Sequence, residues 1–161
     1  MSLIATLLRP TAIRLDVQAP SRTLLFEELA RLFASDSGLR PDLISRSLTA
    51  REALGSTALG HGVAVPHGRV KGLPHAMAAF ARLSAPIPFD APDGQPVRLV
   101  FALLVPEQAT ELHLQILGEV AEMFSSSAFR TRLLTALDPL EVHHLITAFA
   151  SHDATHRPAA V

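Results

Sequence analysis

The 161-residue chain has no cysteine, no tryptophan and no tyrosine, only 18% of its residues are charged, and its positive residues are nearly all arginine. Without cysteine there can be no disulfide, no thiolate metal site and no cysteine nucleophile. That fits a reducing compartment, so the cytoplasm is the expected location. With phenylalanine as the only aromatic residue, the core must be built from Leu, Val, Ala, Ile and Phe. A hydrophobic share of 48% marks a globular rather than a disordered chain. The formal net charge is −1, and the arginines are scattered without a run. This excludes the basic face that nucleic-acid binding requires. No basic residue precedes the apolar start MSLIATLL, and Arg9-Pro10 interrupts it, so no signal peptide is expected. No run approaches the roughly 18 apolar residues of a membrane span, so no membrane insertion is expected.

What is present has the length of one compact domain that buries roughly 70% of its unfolded surface. Ala12 to Val17 alternate as a half-exposed strand does. Ser21 is placed to cap a helix through TLLFEELARLF that ends near Gly38, and Pro41 opens a second helix that Gly55 stops. Arg51 continues the apolar stripe of Ile44 and Leu48 on that second helix. Val63-Ala64-Val65 reads as a short strand held extended by Pro66. Ala76 to Leu83 reads as a strand, with turn signals and a second short strand after it. VRLVFALLV, Val97 to Val105, reads as a central strand covered on both faces. Thr110 is placed to cap a helix through ELHLQILGEVAEMF, followed by short helices over Ala128 to Leu137 and Pro139 to Phe149. A polar tail, 151–161, ends the chain. The expected class is α/β: a single domain over residues 1–150, with a mixed β-sheet flanked by helices on both sides.

Histidine is the chemistry-bearing residue type, with eight copies. His143 and His144 are adjacent on a helix and point about 100° apart; His152 and His156 lie in the tail, and all four read as ordinary residues. His67 differs: a strand and Pro66 precede it and Gly68 follows, an arrangement that presents a side chain at a strand's carboxyl end, where open α/β sheets bind ligands. It is either a neutral imidazole nucleophile or a histidine that merely caps a strand. Arg51, at the core's edge, needs an anion: a carboxylate such as Glu52 or Asp90, or a phosphoryl group matched to its planar fork. His113 falls in the first turn of a helix, where backbone N–H groups disfavour a charged imidazole; it either serves a site or flanks the apolar stripe. His61 and His75 would supply zinc with His67 and His113, but their spacing matches no compact ligand motif. The phosphate-binding loop GxxxxGK[ST], the GxSxG elbow and the two-histidine helix of zinc proteases are all absent.

The runs REALGSTALGHGVAVPHGR, PIPFDAPDGQPV, LVFALLVP and ATELHLQIL resemble the fructose/mannitol-type enzyme IIA domains of the bacterial phosphoenolpyruvate-dependent phosphotransferase system, and most closely the nitrogen-regulatory enzyme IIA. The resemblance covers about residues 10–150. It implies a phosphocarrier with a phosphohistidine intermediate and no cofactor or metal: His67 is phosphorylated, and Arg51 and His113 lie beside it. The implied donor is the phosphorylated histidine carrier protein of the nitrogen branch, and the implied targets are regulatory proteins such as kinases or transport regulators. A sugar-branch enzyme IIA that passes phosphate to a transporter's IIB domain is the alternative, and a histidine-based zinc hydrolase a more distant one. The lack of IIB, IIC or carrier sequence in the chain favours the regulatory reading. Two positions depart from the family pattern: Ala58 stands where glycine is common, and His61 where asparagine or another polar residue is usual.

Overall fold

The computed structural model describes residues 3–108 and 110–156. In chain order the elements are α1 (Leu3–Leu7), β1 (Leu8–Val17), α2 (Arg22–Ser37), α3 (Pro41–Ala53), β2 (Ala58–Gly60), β3 (Val63–Ala64), β4 (His67–Val70), β5 (Met77–Ile87), β6 (Val97–Pro106), α4 (Thr110–Phe124), α5 (Ser127–Thr135) and α6 (Pro139–His156). The expected mixed sheet with flanking helices is what forms. Its strand order is β1-β5-β6-β3-β2, with β4 also paired to β6. β5 and β6 run antiparallel; β1 is parallel to β5, and both β3 and β4 are parallel to β6.

The apolar run at β6 explains its central place. Alternate residues Leu99, Phe101, Leu103 and Val105 face one way and Val100, Ala102 and Leu104 the other, and all are essentially buried. Helices must therefore cover both faces. Alanine's helix preference does not decide β5, because that strand is hydrogen-bonded to β1 on one edge and β6 on the other. β5 runs on past Leu83 to Ile87, which pairs with Val97, so the expected second short strand is a continuation of the first.

Several helix ends follow their local signals. Ser21 Oγ accepts from the Leu24 N–H at 3.2 Å, and Gly38 closes α2 in the left-handed region at φ 74°. Pro41 begins α3. Thr110 is the first helical residue of α4 rather than its cap. α5 starts at Ser127 with Ser126 as its cap, and α6 runs past Phe149 to His156, into the segment expected as tail.

Three elements were not anticipated: α1, β2 and β4. β1 also starts earlier, at Leu8, and includes Pro10, which an edge strand tolerates because its outer N–H groups pair with nothing in the sheet. Arg82 is buried in the core. Its Nη1 donates to the carbonyls of Leu133 and Ala136 at 3.0 and 2.7 Å, tying β5 to the end of α5.

Candidate functional site

β3 and β4 are two pieces of one line along β6, broken at Val65-Pro66. Val63 and Ala64 pair with Leu99 and Val100, and His67 resumes pairing opposite Leu103. Pro66 has no N–H to give the sheet, while its carbonyl accepts from Leu103 N at 2.9 Å. His67 thus opens β4 instead of ending the preceding strand, which corrects the sequence expectation. It is also more covered than expected, at 7% exposure. Gly68 is needed for the close approach of α3: a Cβ there would run into Ser47 Oγ.

Two hydrogen bonds define the His67 ring. Nδ1 lies 2.8 Å from the Val65 carbonyl, which can only accept, so Nδ1 carries the proton. Nε2 receives the Arg51 Nε–H at 3.2 Å and therefore bears the lone pair. Burial is the main cause holding the His67 pKa below the usual imidazole value; the Val65 carbonyl opposes it and the Arg51 charge reinforces it. The ring is a neutral imidazole with a fixed tautomer, and Nε2 is its nucleophilic atom.

Arg51 lies in the last turn of α3, as its place in the Ile44 and Leu48 stripe predicts. Its guanidinium goes to His67 and, through Nη1, to the Gly55 carbonyl at 2.9 Å. The carboxylate expectation fails. Glu52 and Asp90 are both held by Arg22, at 3.5 and 2.8 Å.

His113 comes from α4, more than forty positions away in sequence, and its ring meets that of His67 edge to face with centroids 4.9 Å apart. It lies within the buried seam of α4 with Ile116, Val120 and Met123, not beside it. Neither ring nitrogen has a hydrogen-bond partner among the described residues. Burial, then the neighbouring His67, Arg69 and Arg51, push its pKa down to about 4. It is neutral at pH 7, and its N–H is free to bind an incoming oxygen. Arg51 and His67 line a shallow cleft of about 340 Å³ whose other walls include Thr57, Leu59, Val65 and Leu117. Leu59 among these walls is 43% exposed, an apolar side chain open to solvent at the cleft.

Residues 6–149 match the family model described as "Phosphoenolpyruvate-dependent sugar phosphotransferase system, EIIA 2". The chain belongs to this enzyme IIA family. Among its relatives is the nitrogen regulatory protein of Pseudomonas aeruginosa, 41% identical over 81% of this chain and 85% of that protein. The nitrogen regulatory protein of Escherichia coli is 35% identical over 89% of each. The crystal structure of nitrogen regulatory protein IIA-Ntr from Neisseria meningitidis superposes with a TM-score of 0.87 at 46% identity, covering 91% of this chain and all of that one.

Membership in the enzyme IIA family makes the two departures informative. His61 has φ 57° and Gly62 φ 78°, the two left-handed positions of a tight turn joining β2 to β3. Asparagine suits such a position, and histidine tolerates it better than most residues. The His61 N–H donates to Asp93 Oδ2 at 2.8 Å, and this bond, with one from the Gln95 N–H, holds the Asp93 carboxyl below its usual range. Ala58 is a buried strand residue paired with Ala64, a place that needs no glycine.

His61 and His75 do not join His67. His75 borders a separate small cleft with Arg9 and Asp36. Among the described residues no group of three or more His, Asp or Glu side chains is placed to hold a metal ion. No helix among them is long and apolar enough to cross a membrane.

Sequence reasoning missed the support beneath the site. The Glu52 side chain, 7% exposed, accepts from Thr57 N at 3.1 Å and Thr57 Oγ1 at 2.7 Å. The one available signal was that Glu52 follows Arg51 at the end of a helix.

Proposed function

We propose that the protein is the regulatory phosphocarrier of the nitrogen-branch phosphotransferase system, accepting a phosphoryl group on His67 Nε2 from the phosphohistidine of a carrier protein. The observation that carries this reading is the fixed Nδ1–H tautomer, which leaves Nε2 as a lone pair beside Arg51. Similarity to nitrogen regulatory proteins over most of the chain supports the branch.

In the transfer, the Nε2 lone pair forms the new N–P bond as the N–P bond of the donor breaks, and the donor imidazole recovers its electron pair. The His67 proton stays on Nδ1, where the Val65 carbonyl stabilises the positive charge that develops on the ring. Arg51 leaves Nε2 and turns its donors to the phosphoryl oxygens. Neutral His113 donates one N–H to the same group. Such transfers pass through a loose, in-line transition state and depend on positioning and charge stabilisation, so these residues suffice without a cofactor.

Leu59, which lines the cleft and is 43% exposed, suits docking of a protein surface. A phosphoryl group adds between one and two negative charges beside it, enough to change which partner the face accepts. The readers of that state are regulatory proteins such as kinases or transport regulators, and the site of action is the cytoplasm.

The test is phosphorylation by labelled phosphoenolpyruvate with enzyme I relatives and carriers of the nitrogen and sugar branches, supplied separately. Label on the wild type, absent from His67→Ala and fastest with the nitrogen carrier, is the expected result. Preference for the sugar carrier would reassign the branch, and label retained by His67→Ala would remove the site.

A further inference from the structure

We propose that Glu52 is a positioning residue for phosphoryl acceptance, setting the tautomer of His67 through Thr57 and Val65. The inference rests on the reading of His67 as the phosphoryl acceptor. A continuous line of hydrogen bonds carries it. The Glu52 carboxyl accepts from both the N–H and the hydroxyl of Thr57, at 3.1 and 2.7 Å. The Thr57 carbonyl accepts from Val65 N at 3.0 Å. The Val65 carbonyl accepts from His67 Nδ1 at 2.8 Å.

Each link restricts the next. Thr57 is buried and bound at three of its polar groups, so its carbonyl has a fixed direction. Val65 is held on its N-terminal side by that carbonyl and on its C-terminal side by the Pro66 ring, while the Pro66 carbonyl is tied to Leu103. The Val65 carbonyl therefore has little freedom to turn from the ring. If it turned, Nδ1 would lose its acceptor, the proton would be free to move to Nε2, and Nε2 would lose its lone pair. The Glu52 carboxyl, 7% exposed, is also paired with Arg22 at 3.5 Å, so the group that anchors Thr57 is itself fixed in place. Its placement one residue after Arg51 lets a single helix end supply both the cation at Nε2 and the anchor that determines where the proton sits.

The experiment combines long-range proton–nitrogen NMR of the His67 ring with single-turnover phosphorylation by the carrier. The wild type should show only the Nδ1–H form. Glu52→Gln and Thr57→Val should each show a mixture with the Nε2–H form and accept phosphate on the order of tenfold to a hundredfold more slowly at saturating carrier, with carrier affinity unchanged. Thr57→Ser, which keeps the hydroxyl, should restore both readouts. Thr57→Val serves as the second probe if Glu52→Gln does not fold. A ring spectrum that stays wholly Nδ1–H in the folded variants overturns the proposal whatever the rates. Absence of phosphorylation in the wild type would instead overturn the assigned function, because the ring spectrum is read without any donor.

Discussion

Arg51 Nε–H points at His67 Nε2 from 3.2 Å, so in the resting protein the lone pair of the ring is engaged by the cation best placed to meet a phosphoryl group. Attack requires that bond to open, and the energy of the lost contact is offset when Arg51 binds phosphoryl oxygens.

Removing Arg51 therefore frees the lone pair but strips the transition state of its cation, and the second effect is the larger. Arg51→Ala should slow phosphoryl acceptance on the order of 10³-fold. Arg51→Lys should fall between, because an ammonium restores charge without the planar fork. Rapid-quench single-turnover rates decide. A rate for Arg51→Ala above that of the wild type would mean that the resting contact is inhibitory.

The two histidines make the protein sensitive to acid. In the unfolded chain an imidazole takes up a proton near pH 6.5, whereas folded His113 does so only at about 4. Below pH 6.5 the unfolded state binds more protons, so the stability contributed by the neutral ring is intact above that value and is lost as pH falls toward 4. On the order of 1 kcal/mol should be lost between pH 7 and pH 5 from this residue, solvent screening reducing the full effect of the shift. Urea denaturation at the two pH values checks it, and His113→Gln should reduce the difference.

Phosphoryl acceptance should follow the same sign. Because the folded pKa of His67 lies below the ordinary value, the nucleophile stays neutral through the usual imidazole range. Its rate should be flat from pH 8 down past 6.5 and decline only at lower pH. A rate that halves at pH 6.5 would place the ring in a more solvated setting than the structure shows.

Gly68→Ala tests the approach of α3 to β4. The new methyl meets Ser47 Oγ, so the helix carrying Arg51 must shift, at a cost of about 1–3 kcal/mol. Thermal unfolding should show the loss, and adding Ser47→Ala should recover part of it.

His61→Asn should leave phosphorylation unchanged, because His61 serves the turn rather than the cleft. His61→Val should lower stability by about 1–2 kcal/mol, since a β-branched residue is strained at φ 57°. Calorimetry of the two variants, with labelling as a control, distinguishes a turn role from a site role.

The helices α2 and α3 and the central strand β6 were legible because their signals are local: Ser21 and Gly38 at the ends of α2, Pro41 at the start of α3, and an unbroken apolar run in β6. β2 and β4 were not, since strands of three and four residues carry too few side chains to show a period. α1 escaped for a similar reason, at five residues. The bounds of β5 were blurred because its alanines favour helix, and pairing on both edges overrides that preference.

At the site, residue type and order alone determined the candidates. Pro66, His67 and Gly68 mark a histidine on stiff backbone, the stripe of α3 places Arg51 at the core's edge, and the start of α4 supplies His113. Tertiary structure alone decided what these residues are to one another: that His113 packs against His67 instead of flanking a seam, that Arg51 turns to Nε2 and leaves Glu52 and Asp90 to Arg22, and that the proton rests on Nδ1. The physical reason is distance along the chain. A cap or an apolar stripe is written within a few residues, whereas the direction of a lone pair depends on which carbonyl and which cation the sheet and helices bring together from remote segments.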